Sequence, residues 1–166
     1  MAIADMVRSV ALVLAIVLGF VGYQALVRDD VDAAPMVDYT TAAAAARVDA
    51  PFEVLAPEQL PAGWRATSAR YTREPTAHWH LGVLTDEDDY VGLEQIVDDA
   101  DDALAAFSAD TSAVGSTAIT GQRWQVWADA SGTETTLVRS SGELSILVTG
   151  TAPRDVLVGF IESLRP

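Results

Sequence analysis

The feature that most limits what this chain can fold into is a run of 19 residues without a charged side chain, residues 9–27. At a helical rise of about 1.5 Å per residue the run is about 29 Å long, close to the roughly 30 Å hydrocarbon thickness of a bilayer. Its most polar residues, Ser9 and Gln24, lie near its two ends, whereas a helix in a soluble core carries a polar stripe. The run therefore predicts a transmembrane helix. A cleaved signal peptide is the alternative, but the apolar stretch exceeds the roughly 7–15 residues typical of a signal sequence.

The orientation of this helix depends on the charges beside it. Arg8 and Arg28 flank the run, one on each side, so they cancel as an orientation signal. The free α-amine and the short tail favour an N-terminus inside the cell, which predicts a single-pass protein of the cell membrane with its C-terminal domain outside the cytoplasm. The predicted division of the chain is a cytoplasmic tail (1–8), a transmembrane helix (9–27), an acidic spacer with a short alanine-rich helix (28–50) and an extracytoplasmic domain (51–166).

The chain beyond the apolar run is strongly acidic. The full chain has 24 acidic residues against 10 basic ones, all of them arginine, and its net charge is −14. Such a domain repels phosphate backbones, so nucleic acid is excluded as a partner, and the predicted partners are the membrane and another envelope protein. The absence of cysteine excludes disulfides and thiolate metal sites, and no cofactor is predicted.

Hydrophobic alternation after Trp64 predicts a domain of the α+β class. Helices are predicted over 99–107, where acidic residues crowd the first turn, and from Pro153 onward. An alanine-rich helix over 42–48 lacks large apolar residues and is interpreted as a stalk without a core role. The predicted architecture is an antiparallel sheet of six or seven strands with its helices packed on one face, and the order of strands followed by a helix suggests a pseudo-repeat. The predicted strands cover 65–71, 79–84, 90–97, 122–127, 133–138 and 144–149.

Two of these strands are predicted to form a hairpin. If Leu84 pairs with Tyr90, then His80 pairs with Glu94, and the side chains divide between two faces. Because a strand buries alternate residues, the apolar face is predicted to lie in the core. That face consists of Trp79, Leu81, Val83, Val91 and Leu93.

The opposite face of the hairpin carries His78, His80 and Glu94. Two imidazoles and one carboxylate can bind a single metal ion, so these three residues are candidate metal ligands. The favoured interpretation is a solvated face with a His–Glu pair across the strands, because no supporting pattern surrounds the three residues. Gly82 would lie opposite Gly92 on the same face, and the bare backbone there predicts either a strong local twist or room for a ligand to lie across the sheet.

Two tryptophans extend the candidate binding surface. Trp124 and Trp127 are three residues apart on one predicted strand, so they cannot share a face. One of them must point away from the core, and together with Gly82 and Gly92 it forms the predicted binding surface.

Signals of ion binding or catalysis are weak in this sequence. The acidic segment 86–89 does not fit a calcium loop of the EF-hand type, because the required glycine and glutamate positions hold Val91 and Val97. The chain has no G-x-S-x-G nucleophile motif and no glycine-rich phosphate loop, and no Ser–His–Asp arrangement can be inferred. No catalytic residue is therefore predicted.

Six short motifs follow one another along the chain. They are Leu60-Pro61-Ala62-Gly63-Trp64, His80-Leu81-Gly82-Val83-Leu84-Thr85, Tyr90-Val91-Gly92-Leu93-Glu94-Gln95, Gly121-Gln122-Arg123-Trp124, Leu137-Val138-Arg139 and Thr149-Gly150-Thr151-Ala152. In this order they resemble a family of actinobacterial membrane-anchored proteins that is known only as a domain of unknown function. The resemblance implies a single-pass protein of the cell envelope. It implies no activity, substrate or catalytic residue.

Three functions follow from the sequence, in order of preference. The first is a non-enzymatic interaction module that binds a protein or another component of the cell envelope. The second is a domain that binds a small ligand or lipid in a pocket between sheet and helices. An enzyme comes third, because the sequence offers no nucleophile–base pair.

Overall fold

The computed structural model describes residues 36–166. The predicted tail, the predicted transmembrane helix and the first part of the predicted spacer lie outside the described residues. Between residues 36 and 166 no helix combines the length and the apolar character that a membrane crossing requires. The elements in chain order are α1 (Tyr39–Asp49), β1 (Ala56–Pro57), β2 (Arg65–Thr72), β3 (His78–Leu84), β4 (Tyr90–Val97), α2 (Ala100–Phe107), β5 (Thr111–Ile119), β6 (Gln122–Asp129), β7 (Thr135–Ser141), β8 (Leu144–Gly150), α3 (Arg154–Ser163) and β9 (Leu164–Arg165).

The α+β class and the antiparallel sheet are confirmed. Seven strands form one sheet in the order β2-β3-β4-β8-β7-β6-β5, and β1 pairs with β9 in a separate ladder. All six predicted strands are present. The seventh, β5, lies in a segment whose Gly, Ser and Thr content suggests a connection. It is an edge strand with mostly exposed side chains and a bulge between Ala113 and Gly115, so it lacks the apolar alternation of the inner strands.

One face of the sheet, the core face, is packed with apolar side chains. Trp79, Leu81 and Leu93 are fully buried there. Helix α3 packs on this face through an apolar stripe that includes Leu157 and Phe160. Each large apolar side chain removed from water contributes about 1.5–3 kcal/mol, so this face supplies a large part of the stability of the domain.

Helix α1 also packs on the core face. Tyr39, Ala43 and Ala46 are buried in the same cluster as the core of the sheet. The prediction of a stalk helix without a core role is therefore wrong. Alanine side chains allow a helix to approach the sheet closely, so the methyl groups themselves form the contact. Among the described residues, α1 belongs to the same compact unit as the strands that follow it.

Helix α2 lies on the opposite face, the polar face. The carboxylate of Asp99 accepts hydrogen bonds from two backbone amides of its first turn, and Leu104 is buried against Val138 and Leu147. The prediction that all helices pack on one face is wrong, because the central strands β4, β7 and β8 are buried on both sides. The two halves of the chain share the order of strands followed by a helix, but α2 and α3 lie on opposite faces of the sheet.

Hydroxyl groups fill the polar face beside α2. Thr136 Oγ1 lies 2.6 Å from Ser108 Oγ and 2.7 Å from Thr149 Oγ1, and Thr149 Oγ1 donates to Glu134 Oε1 at 3.1 Å. Thr136 is fully buried. These groups bond to one another, which removes the cost of burying a hydroxyl without a partner.

Candidate functional site

The hairpin of β3 and β4 has the predicted register. Leu84 pairs with Tyr90, and His80 pairs with Glu94. The five apolar residues of the predicted core side are fully buried, which confirms the assignment of the faces. The alternation was sufficient because a slip of one residue would exchange the two faces.

Glu94 is the centre of a hydrogen-bonded cluster on the polar face. Its Oε2 atom lies 2.6 Å from His78 Nε2, and its Oε1 atom lies 2.6 Å from His80 Nδ1. His80 Nε2 lies 2.7 Å from Ser68 Oγ on the neighbouring strand β2. If both imidazoles donate to the carboxylate, Nε2 of a neutral His80 accepts the hydrogen of the Ser68 hydroxyl. One carboxylate, two imidazoles and one hydroxyl thus form a continuous chain.

This cluster is largely shielded from solvent, so the interpretation of a solvated His–Glu face is wrong. The side chains of His78, His80 and Glu94 are 16%, 14% and 6% exposed. The ring of Phe107, at the end of α2, lies 5.0 Å from the ring of His78. Alternation along a strand identifies the residues that share a face, but it does not reveal that a helix covers that face.

Burial and hydrogen bonding act on Glu94 in opposite directions. Burial raises the pKa of its carboxyl group, whereas the hydrogen bonds from His78 and His80 lower it, and the net pKa is below the ordinary value of 4.5. Burial also raises the pKa of the Tyr90 phenol, and the negative charge of Glu94 adds to that effect. At neutral pH the cluster therefore holds an ionised carboxylate beside a protonated phenol.

The three candidate metal ligands bond to one another. Each oxygen of Glu94 is engaged by a nitrogen of His78 or His80, so an ion at this place would have to replace both hydrogen bonds. Between residues 36 and 166, the acidic or histidine side chains whose ligand atoms all approach within 4.8 Å are those of Asp98, Asp99 and Asp102. Asp99 caps α2 and Asp102 lies in its first turn, where the helix dipole favours negative charge.

The space above the backbone of Gly82 and Gly92 is filled by a side chain of the same hairpin. The phenol of Tyr90 folds over both glycines: a methyl group on Gly92 would lie 2.8 Å from Tyr90 Oη, and one on Gly82 would lie 3.2 Å from it. A methyl group on Gly82 would also lie 2.5 Å from Ser68 Oγ. The two glycines therefore make room for Tyr90 and Ser68.

Trp124 and Trp127 point to opposite faces, as their spacing predicts. Trp124 is 4% exposed on the core face, where the guanidinium carbon of Arg139 lies 5.5 Å from its ring centre. Trp127 is half-buried on the polar face and lines a cleft of about 240 Å³ beside α2 with Leu104 and Ser108. Of the two, Trp127 is the one that reaches the surface.

A second region of interest forms around the turn that precedes β2. Gly63 has φ 85°, and a methyl group on it would lie 2.7 Å from the Cβ atom of Asp86, so this turn packs directly on the loop between β3 and β4. The adjacent ring of Trp64 stacks on Phe160 of α3, with ring centres 6.3 Å apart. Arg65 pairs with Asp88 of the same loop at 2.6 Å. The glycine thus fixes Trp64 between the loop and the helix.

The segment after β8 is attached to the same region. Thr151 Oγ1 accepts a hydrogen bond from the Tyr90 amide at 3.0 Å, and the Thr151 amide donates to the Tyr90 carbonyl at 3.1 Å. A methyl group on Gly150 would lie 2.0 Å from that carbonyl oxygen, so only glycine fits there. Helix α3 starts directly afterwards, which brings it against Trp64.

Two neighbouring clefts open where these segments meet. The apolar cleft has a volume of about 320 Å³ and no charged residue in its lining, and the acidic cleft has a volume of about 220 Å³ and three carboxylates. Trp64 and Val156 line both clefts. The apolar cleft is lined by Gln59, Pro61, Trp64, Val156, Gly159, Phe160 and Ser163, and the acidic cleft by Trp64, Thr85, Asp86, Glu87, Asp89, Pro153 and Val156.

The model of one family, described as a protein of unknown function (DUF4245), matches residues 1–164. The chain belongs to the DUF4245 family. Membership confirms the resemblance to a family of unknown function. No curated protein matches the sequence. Among solved structures the chain is similar to MucB in its complex with MucA(peri), with 14% identity and a TM-score of 0.39 over 68% of this chain and 36% of that one. The match thus covers only about a third of the length of that solved chain.

Sequence reasoning missed Ser68 and both clefts of this DUF4245 domain. Ser68 reaches His80 because a bulge shifts the register of β2 between Ala66 and Ser68, and nothing in the sequence pattern marks that bulge. The clefts combine residues from separate parts of the chain. The sequence signal that could have indicated this region is the set of short motifs, because the motifs at 60–64, 80–85, 90–95 and 149–152 lie close together here.

Proposed function

We propose that this DUF4245 protein is a binding module tethered to the membrane, and that it binds a segment of an envelope protein carrying an apolar side chain next to a basic one. The observation that carries this proposal is the pair of adjoining clefts that share Trp64 and Val156, one uncharged and the other acidic. The apolar cleft would take the apolar side chain, and the acidic cleft would take the cation.

Gly159 supports a binding role for the apolar cleft. It lies in the interior of α3, where glycine destabilises a helix by roughly 0.5–1 kcal/mol relative to alanine. A methyl group at this position would meet open space, so no close packing requires the glycine. Because Gly159 has no side chain, the surface of the apolar cleft beside Phe160 stays open.

Charge complementarity supports a basic group as the neighbour of the apolar one. Asp86, Glu87 and Asp89 line the acidic cleft, and among the ion pairs of residues 36–166 none involves these three. The net charge of −14 adds a long-range attraction for basic segments and a repulsion for acidic ones. The indole of Trp64, at the junction of the clefts, offers a face to a cation.

The uncharged run 9–27 supports the tether, and the charges around it support the placement of the domain outside the cytoplasm. In this arrangement the domain stays within reach of other membrane and envelope proteins. The tether raises the local concentration of such partners, so a modest affinity of the clefts would suffice for binding.

Site-specific photo-crosslinking in cells tests this proposal with the full chain. A benzoylphenylalanine residue replaces Gln59 at the rim of the apolar cleft, or Ala106 on the exposed side of α2 as the control position. We expect a protein adduct from position 59 and none of the same mass from position 106. Mass spectrometry of the crosslinked peptide should locate a segment with adjacent apolar and basic residues.

Two sets of variants separate the clefts. Gly159→Leu fills the apolar cleft, with Ala106→Leu as the matched control, and the triple neutralisation of Asp86, Glu87 and Asp89 removes the acidic charges. Neutralising Glu74, Asp110 and Glu143, which are exposed elsewhere, is the control for net charge. Both cleft variants should abolish the adduct, and both controls should retain it. An adduct that survives both cleft variants would refute the proposed site.

The second candidate is a small amphiphilic ligand, because the volume of the apolar cleft, about 320 Å³, falls at the lower limit of small-molecule pockets. The same experiment decides between the two. An adduct of a few hundred daltons from position 59, again lost in Gly159→Leu, would replace the protein partner by a lipid or small molecule.

A further inference from the structure

The chain of hydrogen bonds through Ser68, His80 and Glu94 has the connectivity of a nucleophile, a base and a carboxylate. Ser68 Oγ meets Nε2 of His80 at 2.7 Å, and Nδ1 of the same ring meets Glu94 Oε1 at 2.6 Å. This is the arrangement by which an imidazole removes a proton from a serine hydroxyl while a carboxylate holds the ring in the required tautomer. His78 engages the second oxygen of Glu94 at 2.6 Å, so the carboxylate is held from both sides.

Two backbone features create this geometry. The bulge between Ala66 and Ser68 turns the Ser68 side chain onto the polar face, where regular alternation after Ala66 would place it on the core face. Bulges are frequent beside active sites, where they redirect one side chain. Gly82 then leaves space for the hydroxyl, because a methyl group there would lie only 2.5 Å from Ser68 Oγ.

Three polar atoms converge above Gly82. A point at the Cβ position of that residue lies 2.5 Å from Ser68 Oγ, 3.2 Å from Tyr90 Oη and 3.3 Å from His80 Nε2. Gly82 itself is buried, but Ser68 and Tyr90 are both half-buried, so part of each of these two residues is accessible to solvent. Burial raises the pKa of the Tyr90 phenol, which keeps the hydroxyl protonated and able to donate.

We propose that Ser68 is a nucleophile toward small carboxylic esters, with His80 as its base and the Tyr90 hydroxyl as a hydrogen-bond donor to the oxyanion. Glu94 and His78 are positioning residues, since they act on the substrate only through His80. This activity lies on the polar face and does not depend on the clefts beside α3.

The reaction would proceed in two balanced steps. Ser68 Oγ attacks the ester carbonyl carbon while its proton moves to His80 Nε2, and the negative oxygen of the tetrahedral intermediate accepts a hydrogen bond from Tyr90. The bond to the alcohol oxygen then breaks, and that oxygen takes the proton from His80, which leaves an acyl ester on Ser68. Water attacks this ester by the same route, with His80 taking and returning the proton, and releases the acid.

Labelling of the full chain by a fluorophosphonate probe, read by intact mass and peptide mapping, tests the nucleophile. We expect one adduct per chain, located at Ser68. Ser68→Ala should lose it, whereas Ser116→Ala, which removes an exposed serine of β5 on the same face, should keep it. Gly82→Ala should also lose the adduct, because the added methyl group displaces Ser68 Oγ. An unlabelled chain, or a label elsewhere that Ser68→Ala does not remove, would overturn the proposal.

Kinetic constants separate the donor and the positioning residues from residues that only stabilise the fold. Hydrolysis of p-nitrophenyl acetate should fall by roughly 10²–10³-fold in Tyr90→Phe, the usual effect of removing one oxyanion donor. Glu94→Gln should lower the maximal rate of labelling by roughly 10³-fold or more with little change in the probe concentration at half-maximal rate, because the tautomer of His80 is lost. A purely structural role would leave the rate of the still-folded fraction unchanged, as checked by circular dichroism at the assay temperature.

Discussion

The two faces of the sheet are built from the same strands but are stabilised by opposite chemistry. On the core face, side chains such as Leu81 are buried by apolar contact with α1 and α3. On the polar face, Glu94 and Thr136 are almost as completely buried, yet each is held by hydrogen bonds to its neighbours. Substitutions on the first face remove volume, and substitutions on the second leave a partner without its hydrogen bond. Substitutions on the two faces should therefore differ in their effect on the stability of the domain.

Leu81→Asp should unfold the domain. Removing a buried leucine side chain costs about 2–5 kcal/mol, and placing a carboxylate in an apolar core costs more, so the sum approaches the roughly 5–15 kcal/mol stability of a typical domain. Far-UV circular dichroism and urea unfolding measure the effect. A cooperative transition near that of the wild type would show that the core face is misassigned.

Deleting α1 should destabilise the domain by about 3–5 kcal/mol, because Tyr39, Ala43 and Ala46 leave the core face with it. The comparison is between chains that start at residue 36 and at residue 51. Urea unfolding of both should show a lower midpoint for the shorter chain. Equal midpoints would restore the interpretation of α1 as a stalk.

His80→Ala should cost about 2–3 kcal/mol, because Glu94 and Ser68 each lose a hydrogen-bond partner in a largely buried place. From the sequence alone, a solvated His80 predicts no change in the melting temperature. Denaturant unfolding decides between the two expectations, with Arg70→Ala, an exposed neighbour on β2, as the control. A midpoint equal to that of the control would mean that the cluster contributes nothing.

Acid should weaken the polar face before it affects the core face. The pKa of Glu94 in the folded state is below its ordinary value of 4.5, so the unfolded chain takes up the proton first. The stabilisation by Glu94 is complete well above pH 4.5 and is lost as the pH falls through 4.5 and then through the lower folded pKa. The difference in unfolding free energy between the wild type and Glu94→Gln should therefore shrink on acidification across this window. A difference that is constant with pH would contradict the assignment.

Asp99→Ala should cost about 1 kcal/mol, the usual effect of losing a helix N-cap, because α2 then lacks the acceptor for two first-turn amides. Asp101→Ala removes a charge from the same turn without removing the cap and should cost less. Hydrogen exchange should show faster opening of α2 in the first variant only, with the core-face strands unchanged.

The sequence determined most of the hairpin but little of what covers it. The alternation from His78 to Val83 sets register and face, because apolar and polar residues differ by several kcal/mol in their cost of exposure. The side of the sheet taken by α2 could not be read from Leu104 and its neighbours, because an apolar stripe shows that a helix packs without showing where.

Features that depend on a single backbone displacement or on small residues could not be predicted from the sequence either. The bulge before Ser68 moves that side chain to the other face of β2, and no residue pattern in the sequence predicts this bulge. The core role of α1 depends on methyl groups such as that of Ala43, which count as core only when the helix lies close to the sheet. The clefts around Trp64 require the relative placement of several loops, which is a tertiary property.

Strand β5 bears on how two copies of the protein can meet. It ends the sheet, so one row of its backbone N–H and C=O groups is free to pair with a strand of another chain, which is the usual route to edge-to-edge polymerisation. The bulge between Ala113 and Gly115 interrupts that row, and the intervening Val114 is 60% exposed. A strand of a second copy could therefore not continue the ladder along the whole of β5. The bulge, which is one reason why the sequence did not predict β5, thus also opposes edge-to-edge aggregation.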